Sequence, residues 1–275
     1  MENQIFRVLH AYNAENQDTL ALVNVLVYRN SLVLIGYKEE GQPLSAFIHY
    51  QFNEIGIEDI YSVQIQMIMD YIPTAFQKAA KKNIYHAEPM YVLIPREKMY
   101  EVNGYQMYTD MHSKGSEKML TDEFASVDIK EYYNYPYRVY NDLDNAFENA
   151  NFFSYHQNVF RHLKHKSTEN TLVYISIKSN YIEIIGFKEG KLTFCNTFEY
   201  KNKADILYFV QASLEDMGVA LDSSDIYITT IRKEEQEDIF NTLKHYFPNF
   251  NSNVEATFGI STSFWDTYAD AFLSH

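Results

Sequence analysis

The sequence predicts an α/β protein built from two similar halves, each running strand, strand, strand, helix, strand, helix, strand, helix. Two observations predict this. The stretch "NSLVLIGYKEEG" (Asn30–Gly41) returns as "NYIEIIGFKEG" (Asn180–Gly190). The similarity then continues downstream in the same order, which one shared hairpin would not do.

Residues 22–39 lie over 172–189 without a gap. Leu22, Val23, Asn30, Ile35, Gly36, Lys38 and Glu39 fall on Leu172, Val173, Asn180, Ile185, Gly186, Lys188 and Glu189. Val25, Val27, Leu32, Leu34 and Tyr37 meet Ile175, Ile177, Ile182, Ile184 and Phe187. Val23, Val25 and Val27 alternate as a strand, and so do Val173, Ile175 and Ile177. Asn30 and Asn180 stand where a tight turn is needed, and "YKEEG" and "FKEG" supply the next hairpin turns. A third strand follows at 43–52 and 191–200. The helices come next, at 58–72 and 204–218, where Ile206, Val210, Leu214 and Met217 have helical spacing. A fourth strand is expected at 91–98 over 227–234.

The second half continues with a helix over 234–246, a strand over 254–258 and a last helix over 263–273. Their counterparts in the first half are 142–149, 151–155 and 156–166. Residues of about 97–136 have no counterpart and read as a subdomain inserted in the first half. The polar segment "KHKSTEN" (164–170) joins the halves, giving domains at 1–167 and 168–275.

Composition narrows the function. Hydrophobic residues are 46% and charged residues 22% of 275, an ordinary folded composition. A net charge of −14 argues against nucleic acid, and the densest basic patch, "QKAAKKN" (77–83), reads as a solvated helix end. No apolar run approaches the length of a membrane span, and the N-terminus lacks the pattern of a secretory signal. One cysteine, Cys195, allows neither an internal disulfide nor a cysteine-based metal cluster. A cytoplasmic protein is expected.

Two copies of βββαβαβα, the first carrying an insertion, resemble the actin-like ATPase superfold of actin, the sugar kinases and Hsp70. Segment 191–210, through Leu192, Phe194, Asn196, Thr197, Phe198, Tyr200, Asp205 and Tyr208, resembles a bacterial family of unknown function assigned to that fold. The resemblance implies two tandem pseudo-symmetric ribonuclease H-like domains in an actin-like arrangement. It implies no activity by itself.

In that superfold each domain offers a hairpin turn, Asp-x-Gly-x-x-Thr/Ser, to the nucleotide phosphates. Gly lets backbone N–H groups approach phosphate, and the acid positions metal or water. Here the corresponding turns are "LVYRNS" (26–31) and "ISIKSN" (175–180), without Gly or acid. The adenosine side, "YITTIRKEE" (227–235), lacks the usual Gly-Gly pair. None of the nine glycines falls where a phosphate would bind. No cofactor, metal or catalytic residue is expected.

Other signals read as structural. His162 and His165 share a face near a helix C-terminus, where the dipole favours positive charge, and His156 lies on another side. Glu39/Glu40, Asp142/Asp144 and Glu234/Glu235 are solvated faces or helix starts. His49 is a solvated or core position. Cys195 reads as a packed thiol, and Ser176 and Ser179 lack nucleophile-elbow glycines. "EYYNYPYRVY" (131–140) is either a packed connection to the insertion or a partner surface. Trp265, Tyr268, Ala269 and Phe272 form one stripe on the last helix.

The sequence therefore points to a non-catalytic actin-like pseudo-ATPase that works as a scaffold for a protein partner. The resemblance offers a parallel in cytoplasmic scaffold domains of secretion and pilus machines. The alternative is a degenerate nucleotide-binding switch with little hydrolysis. Arg29, Asn30, Lys178 and Asn180 are the candidate ligand residues in either case.

Overall fold

The computed structural model describes residues 6–13, 19–28, 31–39, 44–52, 65–87, 90–112, 117–167, 171–178, 181–219, 224–230, 233–247 and 250–251. The chain divides into two compact units, the second starting at Asn158.

Six strands of the first unit make one sheet: β1 (Phe6–Tyr12), β2 (Leu22–Tyr28), β3 (Ser31–Tyr37), β4 (Ala46–Phe52), β5 (Lys81–His86) and, after an insertion, β9 (Asn151–Ser154). Their order is β1-β4-β3-β2-β5-β9. β2 runs antiparallel to β3 and parallel to β5, and β9 lies parallel to β5. On one face Val23, Val25, Val27, Leu32, Leu34 and Ile48 pack with Ile65 and Ile68, from helical residues 65–69 (α1), and with Phe76 of α2 (Thr74–Gln77). All seven residues of β2 are buried. That is why it reads as a nearly continuous apolar run, broken only by Asn24. Asn24 Oδ1 accepts from Asn83 Nδ2 on β5, 3.2 Å away, so the buried amides satisfy each other in part.

The insertion is a three-stranded antiparallel sheet, β6 (Tyr91–Pro95), β7 (Glu117–Phe124) and β8 (Ile129–Pro136), in the order β6-β8-β7. It carries α3 (Gly104–His112). Val92, Ile94 and Tyr108 form its small core. A Cβ on Gly104 would stand 2.2 Å from the Tyr132 ring, so a smaller residue than alanine is needed where α3 crosses β8. α4 (Tyr137–Ala146) then leads to β9 and α5 (His156–Lys166).

Two expectations change here. The strand parallel to β2 is β5, not 91–98, which belongs to the inserted sheet; the insertion thus starts at Tyr91 rather than near 97. The reason is local polarity. "KKNIYH" shows only Ile84 and Tyr85 as strand-like residues, whereas "YVLIP" is a stronger apolar signal. "QKAAKKN" is a helix end only at its start: Gln77 closes α2 and Lys78 caps it, whereas its last three residues open β5.

The second unit holds β10 (Thr171–Ile177), β11 (Tyr181–Lys188), β12 (Lys191–Glu199), β13 (Ser224–Thr230) and β14 (Phe250–Asn251), ordered β12-β11-β10-β13-β14. This is the same succession as β4-β3-β2-β5-β9. β10 is antiparallel to β11 and parallel to β13. Val173, Ile175, Ile177, Ile182 and Ile184 pack with Ile206, Val210 and Leu214 of α6 (Lys203–Asp216) and Leu243 of α7 (Lys233–Tyr246). Each such side chain contributes about 1.5–3 kcal/mol on burial.

Local chemistry sets the turns. Glu189 (φ 51°) and Gly190 (φ 72°) form a two-residue hairpin between the paired Lys188 and Lys191, the geometry that matches strand twist. Asn202 starts α6 with a capping box: its side chain accepts from Ala204 and Asp205 N–H, and Asp205 accepts from Asn202 N–H. The matched glycines Gly36 and Gly186 answer a shared need for space, because a Cβ would meet Leu20 at 2.7 Å in one case and Met217 at 2.2 Å in the other. The expected strand at 254–258 and the helix at 263–273 with its Trp265–Phe272 stripe lie outside the described residues.

Candidate functional site

Of the four candidate ligand residues, Arg29, Asn30 and Asn180 lie outside the described residues. Lys178 is described, and it is buried, at 4% exposure, just beyond the end of β10. Its N–H donates to Tyr181 O at 2.9 Å, and its carbonyl accepts from Tyr200 Oη at 2.6 Å. Burial pulls the ammonium down to about 7, while the buried Glu183 carboxylate of β11 acts in the opposite direction. Glu183 pairs across the strands with Ser176, itself fully buried. The end of this hairpin therefore presents a lysine balanced by a carboxylate. A polyphosphate needs the reverse: unopposed positive charge and accessible N–H groups.

A second polar group gathers in the first unit at the carboxyl ends of the parallel strands β5 and β9, the usual ligand edge of an open α/β sheet. Strand register brings it together. β8 alternates, so Glu131, Tyr133 and Tyr135 share one face and are buried. β7 contributes Asp122, paired opposite Glu131. From the main sheet come His86, ending β5, and Ser154, ending β9, followed by His156 at the start of α5.

The bonds are specific. Glu131 Oε1 lies 2.8 Å from His156 Nδ1, and Asp122 Oδ2 accepts the Ser154 N–H at 2.5 Å and the Tyr133 hydroxyl at 3.3 Å. Ser154 Oγ accepts the His156 N–H at 3.1 Å, a local serine turn just before α5. Tyr91 meets the His156 ring edge-on at 4.4 Å. The His86 ring is tilted against Tyr135 at 4.1 Å and stacked on Tyr133 at 6.1 Å. Burial pushes Asp122 up to about 6, the Ser154 N–H opposing and Glu131 reinforcing; burial also pulls His86 down to about 3. Burial raises the Tyr133 phenol, and the nearby Asp122 charge raises it further.

Serine, histidine and glutamate invite comparison with a nucleophilic triad, and the geometry rejects it. Ser154 Oγ (3.3 Å) and Glu131 both address Nδ1 of His156, whereas a relay needs the acid on one ring nitrogen and the nucleophile on the other. Ser154 is also buried. The cluster holds the inserted sheet to β9 and α5.

His162 is half-buried and pulled down to about 4 by burial, then by Lys166, His165 and Arg161; cationic neighbours repel a metal ion. His49 is a core residue. Cys195 is half-buried on β12. Within 131–140, Tyr133 and Tyr135 are core and Tyr135 packs on Tyr140 and Phe152, so the stretch is mainly a packed connection, with Tyr137 exposed.

The profile of DUF3822, described as a protein of unknown function, matches residues 12–250. The chain belongs to this family. No curated protein matches it. Among solved structures, this DUF3822 protein is similar to a Bacteroides thetaiotaomicron protein with an actin-like ATPase fold and unknown function, at TM-score 0.72 and 15% identity over 86% of this chain and 91% of that one. It is also similar to a chain of the PilM-PilN type IV pilus biogenesis complex, at TM-score 0.60 and 8% identity over 92% and 97%. These likenesses give the DUF3822 protein the actin-like ATPase fold. No helix among its described residues is long and apolar enough to cross a membrane.

Proposed function

We propose that this chain is a non-catalytic scaffold: two tandem pseudo-symmetric ribonuclease H-like domains, over 1–167 and 168–275, that hold a protein partner in the cytoplasm and do not turn over ATP. The observation that carries the reading is the burial of Lys178 beside Glu183 at the hairpin where a phosphate turn would stand. A carboxylate there disfavours a polyanion, and the hairpin sequence has no glycine to bring backbone N–H groups close. The Ser154–His156–Glu131 arrangement supports the same reading, since it is built to be held and not to react. The likeness to a chain of the PilM-PilN complex adds support by analogy: there the same fold is found within a complex.

Calorimetric titration with Mg·ATP and Mg·ADP, at concentrations that reveal millimolar affinity, tests the proposal. A scaffold gives no saturable heat and no thermal shift. Saturable binding that is lost in Arg29→Ala and in Lys178→Met, with melting unchanged, would replace the scaffold by a nucleotide switch.

A further inference from the structure

The C-terminal end of α6 creates a groove with α7. Gly218, in the left-handed region at φ 62°, stops α6: its N–H donates to Glu215 O at 3.0 Å and Val219 N–H to Leu214 O at 2.9 Å. This terminal motif turns Val219 back against the helix. Leu207, Gln211 and Leu214 recur along one side of α6, and Tyr246 and Phe247 come from the end of α7. Together with Tyr208, Glu215 and Val219 they line a groove of about 500 Å³. The floor is apolar. Tyr208 and Tyr246 stand at 67% and 59% exposure, with no ring from another element stacked on them among the described residues.

Charge narrows the occupant. Glu215 is the sole charged side chain among the described lining residues, its Oε1 accepting from Gln211 Nε2 at 2.8 Å, and the exposed Asp216 follows it. The chain as a whole carries −14. A second copy would bring the same net charge, and two chains of −14 repel each other. A helix with apolar residues at i, i+3, i+4 and i+7 and flanking Lys or Arg suits both the floor and the rim.

We infer that the α6–α7 groove is a docking site for a basic amphipathic helix of a partner protein. This rests on the scaffold reading and gives its partner a chemistry. Tyr208 and Tyr246 would clasp the apolar side of the guest, and Glu215 would select its basic flank.

The test uses the full chain and a blocked peptide of about 18 residues made of Leu at helical spacing and Lys elsewhere. A Leu/Glu peptide of the same pattern serves as the control. Binding is followed by calorimetry at about 0.15 M salt, to limit non-specific attraction. Saturable 1:1 binding of the Leu/Lys peptide is expected, weakened at least about ten-fold in Tyr208→Ala/Tyr246→Ala. Glu215→Lys is expected to shift preference toward the Leu/Glu peptide. Tyr105→Ala, exposed on α3, should change nothing. Equal affinity in the groove variant, or equal binding of both peptides, overturns the inference. So does a red shift of Trp265, the single tryptophan, on substituting the two tyrosines without peptide, since that would assign the groove to the chain's own residues 252–275. Failure here with no nucleotide binding leaves the scaffold reading intact. Nucleotide binding removes it whatever the peptide does.

Discussion

Glu131 on the inserted sheet and His156 at the start of α5 meet at 2.8 Å, with side chains only 1% and 3% exposed. Twenty-five residues apart in sequence, they join the insertion to the element that follows the main sheet. The second carboxylate oxygen of Glu131 has no hydrogen-bond partner among the described residues, so the interaction through Oε1 must offset much of the cost of burying the group.

Removing one partner of a buried pair is more costly than the pair's net worth. Glu131→Ala is expected to destabilise by about 3 kcal/mol, and Glu131→Gln by less because an acceptor remains. Urea unfolding measures both. A loss below about 1 kcal/mol for the alanine variant would mean the pair does not hold the inserted sheet.

Asp122 gives a pH dependence. Its folded value is raised to about 6 from 3.8, chiefly by burial. The folded state therefore holds the proton more tightly than the unfolded state. The resulting stability is fully present below about 3.8 and is lost as pH rises through about 6. Asp122→Asn keeps an acceptor for Ser154 N–H without the charge. It is expected to be more stable than the native chain at pH 7 and to lose that advantage by about pH 4, as read from urea midpoints across this range.

His86 works in the opposite sense. Burial lowers it to about 3 from 6.5, so its stabilisation is present above 6.5 and is lost as pH falls toward 3. His86→Phe preserves ring packing on Tyr135 and removes the titration. Its melting temperature should fall less than the native chain's between pH 6.5 and pH 4; parallel curves for the two proteins would count against a neutral buried His86.

Gly186 tests packing. Alanine there would place a Cβ 2.2 Å from Met217 Sδ. Gly186→Ala should cost about 1–3 kcal/mol. Adding Met217→Ala should recover part of that loss, because the obstructing sulfur is gone. Additive losses in the double-mutant cycle would show that the two positions do not contact.

What the sequence determined by itself was the part of the fold written in local periodicity. Val23, Val25 and Val27, Val173, Ile175 and Ile177, and the stripe Ile206–Val210–Leu214 each carry their period within a few residues. Strand and helix identity follow from that pattern wherever one face is apolar. The absence of glycine from "LVYRNS" and "ISIKSN" was equally legible, because a phosphate turn is a local requirement. β5 was not legible, since Lys81, Lys82 and Asn83 carry no strand pattern and gain their place only by pairing with β2. The burial of Lys178 was not legible either: a lysine in a turn is ordinarily solvated, and only packing turns it toward Glu183. Tertiary structure alone decided the Glu131–His156–Ser154–Asp122 cluster. Its members come from β8, α5, β9 and β7, and no spacing in the chain marks them. Apolar burial is specified by many residues in series, whereas a buried polar contact depends on the register of two elements at one point.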